Sequence, residues 1–209
     1  MRTAERRAVL FDLDGTLVDL GDVHWLALNC ALVGHGLEPI TKADHDHRYN
    51  GLPTKVKLQM RGISEERRPS IEVEKQRETM RLIRDAVNPD PRLIAELERI
   101  EAEFFVGIVS NARIETCISV LFKSDIGLHT QLLIAGPYQP GDAKPNPFPY
   151  VRAIEAAHLL RERTIAVEDN HYGVEAAELA GLRCLCVSGP HDITYERVSE
   201  FANLRMEAA

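Results

Sequence analysis

The chain has 209 residues, 44% hydrophobic and 27% charged, the balance of a globular protein with apolar material for one sizeable domain and an insertion. Acids outnumber bases, 32 Asp and Glu against 25 Lys and Arg, for a formal charge of −7, so no basic face for nucleic acid is implied. No apolar run approaches the roughly 20 residues of a membrane-spanning helix, so no membrane partner is expected either.

Met1-Arg2-Thr3-Ala4-Glu5-Arg6-Arg7 is charged, and the apolar run after it is too short for a signal peptide. The cysteines, Cys30, Cys117, Cys184 and Cys186, form no CxxC pair. They read as reduced, mostly buried thiols, which fits a cytoplasmic protein. Ala8 to Phe11 is a short apolar run, and residues 7–12 read as a strand buried on both faces. His24 to Leu37 has the apolar spacing of a helix, with Trp25, Leu28 and Leu32 on one side. Asp44, His45, Asp46 and His47 alternate in a polar stretch that reads as solvated surface. From about 20 to 88 the pattern is helical without a convincing strand. Glu65 to Ala86 is highly charged, with Ile71, Val73, Met80, Leu82 and Ile83 as its apolar members. Asn88-Pro89-Asp90-Pro91 breaks this segment and places Asp90 to cap the next helix.

Strands and helices then alternate. Helices are predicted over Arg92–Ala102, Ile114–Phe122, Asn146–Ala157, Gly173–Ala180 and Tyr195–Leu204. Strands are predicted over Phe104–Val109, Leu132–Ala135, Thr164–Val167 and Arg183–Val187. Such alternation predicts an α/β fold: a Rossmann-like parallel sheet with helices on both faces, interrupted by a small inserted helical unit. The core would comprise residues 1–20 and 89–209, and the insert residues 21–88.

The polar residues fall where such a sheet places its sites. Asp12 and Asp14 are two apart in extended chain, so both point the same way from the end of the first strand. Gly15 then permits a sharp departure. The strand Phe104–Val109 ends in Ser110-Asn111, Thr164–Val167 ends in Glu168-Asp169-Asn170, and Lys144-Pro145 precedes a helix. In a parallel sheet these ends share one edge, so Asp12, Asp14, Ser110, Lys144, Glu168 and Asp169 should meet in one crevice. Taken singly, Ser110-Asn111 and Glu168-Asp169 read equally as helix caps, and Lys144 as a loop lysine. Taken together, four carboxylates call for a divalent cation with oxygen ligands, most simply Mg2+. A hydroxyl, a lysine and the N–H groups of helix starts suit a phosphoryl group. A carboxylate nucleophile suits phosphoryl transfer, because the anhydride it forms hydrolyses easily.

These residues resemble the haloacid dehalogenase-like superfamily. Phe11-Asp12-Leu13-Asp14-Gly15-Thr16-Leu17-Val18-Asp19 is similar to its first motif and Val109-Ser110-Asn111 to its second. Lys144-Pro145-Asn146-Pro147 is similar to the third, and Val167-Glu168-Asp169-Asn170 with Gly173, Ala176 and Ala177 to the fourth. The resemblance covers about residues 7 to 187. It implies that Asp12 is the nucleophile and that Asp14 is general acid and then base. It implies Mg2+ held by Asp12, the Asp14 carbonyl and Asp169, with Glu168 supporting the ion directly or through a neighbour. Ser110 and Asn111 would bind the phosphoryl group, and Lys144 would offset its charge. An acid at position 14 favours phosphate esters over haloacids, because halide leaves without a proton.

The insert resembles the family's small α-helical cap, closing from hinges near Leu20-Gly21 and Asn88-Pro89. Within the superfamily the chain looks closest to β-phosphoglucomutase-like and phosphoglycolate phosphatase-like enzymes. His24 and Lys75 stand where the mutases place a histidine and a cap lysine. In Asn50-Gly51-Leu52-Pro53-Thr54-Lys55, however, Thr54 stands where they carry a phosphate-binding arginine, and Ala112 and Ile114 replace a polar pair. Lys55 or Arg48 could substitute as a point charge. The expected activity is therefore hydrolysis of a small phosphorylated metabolite, such as a sugar phosphate, with a phosphosugar mutase and a non-catalytic binding protein as alternatives. Nothing in the sequence sets the substrate or an oligomeric state.

Overall fold

The structure, a computed structural model, describes residues 6–49, 52–136, 138–139 and 141–204. The chain divides into two compact units: Met1–Asp19 with Asn88–Ala209, and Leu20–Val87.

The first unit begins with strand β1 (Arg7–Phe11). The second unit follows, with helices α1 (Gly21–Gly34), α2 (Lys42–Asp44), α3 (Thr54–Met60) and α4 (Arg68–Ala86). The chain then returns to the first unit through α5 (Pro91–Glu103), β2 (Phe104–Arg113), α6 (Ile114–Lys123), β3 (Leu132–Gly136) and α7 (Phe148–Ala156). It ends with β4 (Thr164–Glu168), α8 (His171–Leu179), β5 (Arg183–Cys186) and α9 (Tyr195–Asn203).

The five strands form one sheet in the order β3-β2-β1-β4-β5, every neighbouring pair parallel. β1 is central because its residues are apolar on both pleats. Ala8 and Leu10 pack with Phe105, Val109 and Ala166 against Tyr150, Ala153 and Ile154 of α7 and Ala176 and Ala177 of α8. Val9 and Phe11, on the opposite pleat, are also fully buried. A strand covered on both faces has no use for alternation, which is why this one reads as a continuous apolar run. Burying Phe11 alone contributes about 1.5–3 kcal/mol.

Register sets up the chemistry. Leu10 aligns with Ala166 and Phe11 with Val167. The Asp12 N–H donates to the Val167 carbonyl at 2.9 Å, so the ladder carries Asp12 to the side of Glu168.

Several boundaries differ from the sequence reading for local reasons. β2 runs on to Arg113, so Ser110-Asn111 is extended chain and not a helix cap. α7 starts at Phe148 rather than Asn146, because Pro147 keeps the residue before it out of helical geometry. α8 starts at His171, capped by Asn170, whose side chain accepts from the Gly173 N–H; Glu168 and Asp169 are thereby released from capping. Asp90 does cap α5, its Oδ1 accepting from the N–H groups of Arg92 and Leu93. The thiols are all free, but they are less buried than expected. Cys117 is buried, whereas Cys186 lies exposed on the edge strand β5 and Cys30 is exposed on α1.

The Leu20–Val87 unit has its own core: Leu28, Ala31, Leu32, Ile40, Tyr49, Leu58, Ile63 and Ile71, with Leu37 packed against it. The stretch expected to be solvated surface is not uniformly so. His45–Tyr49 forms a π-helical turn that rotates His45 and Tyr49 inward. His45 is fully buried, its Nε2 lying 3.4 Å from Nζ of the buried Lys57, while Asp44, Asp46 and His47 remain exposed.

Candidate active site

Lys144 organises the carboxyl edge of the sheet. Its Nζ donates to Asp12 Oδ1 at 2.6 Å, to Glu168 Oε1 at 2.5 Å and to the Val109 carbonyl at 2.6 Å. The three partners come from adjacent strands: Asp12 just after β1, Glu168 at the end of β4, and Val109 within β2. The lysine reaches them from the loop before α7, which Asn111 ties down. Asn111 Nδ2 donates to the Lys144 carbonyl at 3.1 Å, and Asn111 Oδ1 accepts from the Lys144 N–H at 2.9 Å. The Lys144-Pro145 peptide is cis. Asn111, expected to bind substrate, thus spends its amide on holding the lysine in place.

Asp12, Glu168 and Asp169 bring one carboxylate oxygen each within 4.8 Å of one another. Asp12 and Glu168 are buried, while Asp169 is exposed. Two glycines make room for the cluster. A Cβ on Gly15, whose φ is +91°, would overlap the Asp169 carboxylate, and a Cβ on Gly173 would overlap the Glu168 carboxylate. Asp14 is half-buried in the tight turn closed by the Gly15 N–H to Val18 carbonyl bond at 2.9 Å. Its carboxylate is not a member of the three-acid set, but its charge reaches Asp169 and raises that group's pKa.

The side-chain donors fall on one oxygen of each acid. Glu168 Oε1 accepts from Lys144 and, at 2.6 Å, from the Tyr150 hydroxyl. Asp169 Oδ1 accepts from Thr16 Oγ1 at 3.2 Å and from Asn170 Nδ2 at 3.1 Å. Glu168 Oε2 is buried and has no hydrogen-bond partner. An orphaned carboxylate oxygen at zero exposure is costly unless a cation meets it.

The electrostatics agree. Burial pushes the Asp12 carboxyl well above the usual carboxylate range; Lys144 opposes this, and the charges of Glu168 and Asp169 add to it. Burial likewise raises Glu168 against Lys144 and Tyr150. Asp169 is exposed as a residue, but partial desolvation of its carboxylate raises it too, against the bonds from Asn170 and Thr16. Burial works against the Lys144 ammonium, yet Asp12 and Glu168 outweigh it and hold its pKa above the ordinary lysine value. One ammonium is therefore too little charge for three acids. A hard divalent cation on oxygen ligands, Mg2+ above all, fits the deficit, the donor set and the unpartnered Glu168 Oε2.

Ser110 is buried at the end of this edge. Its Oγ accepts from the Ala112 N–H at 3.1 Å, and its carbonyl accepts from the Tyr138 hydroxyl at 2.8 Å. The remaining predicted residues belong to the helical unit. His24 and Lys75 meet each other, Nδ1 to Nζ at 3.1 Å, which ties α1 to α4. Lys55 is exposed on α3, Thr54 is half-buried at its first position, and Arg48 is exposed with its guanidinium 5.7 Å from the Tyr49 ring. Asn50 and Gly51 lie outside the described residues.

Sequence reasoning passed over Thr16, Tyr138 and Tyr150 as site components. Tyr150 carries a faint signal: it shares one helix stripe with Ala153 and Ile154, and a tyrosine buried among aliphatics needs a partner for its hydroxyl.

A parallel α/β core whose strand ends gather three acids and a lysine is the fold and site of a hydrolase. The chain belongs to the haloacid dehalogenase-like hydrolase family, whose model matches residues 9–187. It is 26% identical over 179 residues to a phosphorylated carbohydrates phosphatase of Thermotoga maritima, covering 84% of this chain and 82% of the relative. It is 28% identical over 178 residues to a phosphoglycolate phosphatase of Aquifex aeolicus, covering 85% and 82%. The fold is shared with a solved β-phosphoglucomutase of Clostridium difficile at a TM-score of 0.78 and 20% identity, over 95% of this chain and 97% of that one.

Proposed function

We propose that the protein is a Mg2+-dependent phosphatase that hydrolyses a small phosphorylated metabolite, such as a sugar phosphate, through Asp12. The observation that carries this reading is the set Asp12, Glu168 and Asp169 around Lys144 with Glu168 Oε2 unpartnered. Two relatives named as phosphatases of phosphorylated small molecules support it.

The ion, when bound by Asp12, Asp169 and Glu168 with the Asp14 carbonyl, supplies the positive charge that lets an anionic nucleophile approach an anionic phosphate. Asp12 attacks phosphorus through a carboxylate oxygen and becomes an aspartyl phosphate. Asp14 protonates the leaving oxygen, then takes a proton from the water that hydrolyses the anhydride. Ser110 donates its hydroxyl proton to a phosphoryl oxygen. Lys144 stays charged throughout and fixes Asp12 Oδ1, and Asn111 keeps Lys144 in register. The Leu20–Val87 unit is assigned the role of a cap that sets substrate choice, with His24, Lys75 and Lys55 as its polar candidates. The four free thiols fit a reducing compartment, the cytoplasm.

A phenyl phosphate ester assayed with Mg2+, with EDTA and with Asp12→Asn tests the reading. Hydrolysis should need the ion and vanish in the variant; turnover that survives the asparagine defeats the mechanism. A hexose 1-phosphate with a bisphosphate activator separates hydrolysis from the mutase alternative, since a hydrolase yields inorganic phosphate rather than the isomer.

A further inference from the structure

Tyr150 is fully buried in the packed interface between α7 and the sheet, yet it carries a hydroxyl. Neither its ring nor its hydroxyl is idle. The hydroxyl donates to Glu168 Oε1 at 2.6 Å, the same oxygen that accepts from Lys144 at 2.5 Å. The ring lies under the ammonium, with Lys144 Nζ 5.0 Å from its centroid, within reach of a cation–π attraction. Two donors on Oε1 fix the rotation of the Glu168 carboxylate. That rotation leaves Oε2 buried without a partner, on a carboxylate that lies in the three-acid set with Asp12 and Asp169. Gly173 leaves room for this placement, because the carboxylate fills the space that a Cβ there would take.

We propose that Tyr150 is a positioning residue for the metal: its hydroxyl holds Glu168 Oε1 and so leaves Oε2 free to serve as a ligand, and its ring steadies Lys144 between Asp12 and Glu168. This rests on the metal-dependent reading above and adds to it a residue outside every motif. Without the hydroxyl, Lys144 is the remaining side-chain donor to Oε1. The carboxylate can then turn both oxygens toward the ammonium and away from the ion. Partners of this kind, which orient a ligand without touching the metal, typically change metal affinity by about 10–100-fold.

The test is Mn2+ binding, by calorimetry and by the electron spin resonance of the free ion, on the full chain as wild type, Tyr150→Phe, Glu168→Gln and the double variant. The phenylalanine keeps the ring and removes the hydroxyl. Expected is a roughly tenfold or greater loss of Mn2+ affinity in Tyr150→Phe, with little further loss when it is added to Glu168→Gln. Its hydrolysis of phenyl phosphate should recover as Mg2+ is raised, with substrate KM at saturating ion unchanged. Affinity within about twofold of wild type overturns the proposal, as does an equal loss in both backgrounds, which would mark a general packing effect. A Tyr150→Phe protein that does not fold in EDTA also overturns it, by assigning the hydroxyl to the core. If wild type itself takes up no Mn2+, the metal reading fails instead, and that outcome is distinct from all of these.

Discussion

Lys144 Nζ reaches Asp12, Glu168 and the Val109 carbonyl from a position that solvent hardly touches. Removing it, as in Lys144→Met, leaves two buried carboxylates facing each other without a cation. Deleting one partner of such a pair costs about 3–5 kcal/mol. The cost should be smaller at about pH 5 than at about pH 8, because the acids, whose ordinary values lie near 4, can escape it by protonation. Wild type carries a milder version of the same dependence. Burial raises Asp12 and Glu168, so over the interval from the ordinary carboxylate range up to their raised values the folded state holds more protons than the unfolded. Stability then falls as pH rises through that interval. Lys144 adds no slope there, since its raised pKa matters only above the ordinary lysine range. Thermal unfolding in EDTA should show a melting temperature that declines as pH rises above the ordinary carboxylate range. Excess Mg2+, which binds the ionised acids and displaces their protons, should flatten or reverse the decline. A melting temperature that rises with pH in EDTA would contradict the assignment.

At the scale of elements, the glycines at the strand-to-helix turns fix where the acids can stand. Gly173→Ala gains helix propensity of about 1 kcal/mol but drives a methyl into the Glu168 carboxylate. Moving a ligand by about 1 Å costs on the order of 100-fold in rate, so activity should fall steeply, and overpacking of about 1–3 kcal/mol should more than cancel the helix gain and lower the melting temperature as well. Asp90→Ala is the converse. It removes the α5 cap, for about 1 kcal/mol, and should leave Mn2+ affinity and turnover as they were. These turns were legible in the sequence because each joins a buried apolar run to a polar pair in a few residues, although the strand ends at Phe11 and Asp14 stands in the turn rather than on the strand's pleat. Tyr150 was not, because its contact with Glu168 depends on how α7 is rotated over a strand eighteen positions away. His45 was not, because a π-helical turn shifts the register by which exposed and buried faces are counted. Asn111 was placed in the right crevice, but its clasp on the Lys144 backbone was not legible, since that loop is far from its own strand in sequence.

At the scale of the whole molecule, the two units close separate apolar cores, and only the unit built on the sheet carries the acids. That separation makes metal linkage a local quantity. An ion at 100 times its dissociation constant adds about 2.7 kcal/mol to the state that binds it. The gain belongs to β1, β2 and β4, which carry Asp12, the Val109 carbonyl and Glu168 to Lys144. Amides of those strands should therefore exchange more slowly in Mg2+ than in EDTA. Amides of α1 and α4 should not, since Leu28, Leu32 and Ile71 pack among themselves. Ile71→Ala probes the same division from the other side. Emptying a fully buried isoleucine site costs about 2–5 kcal/mol, and the loss should appear as faster exchange across α1 and α4. Mn2+ affinity should stay at its wild-type value, because no ligand lies on those helices. A Mn2+ affinity that falls with Ile71→Ala would mean that the helical unit contributes to holding the ion, and would move part of the metal site off the sheet.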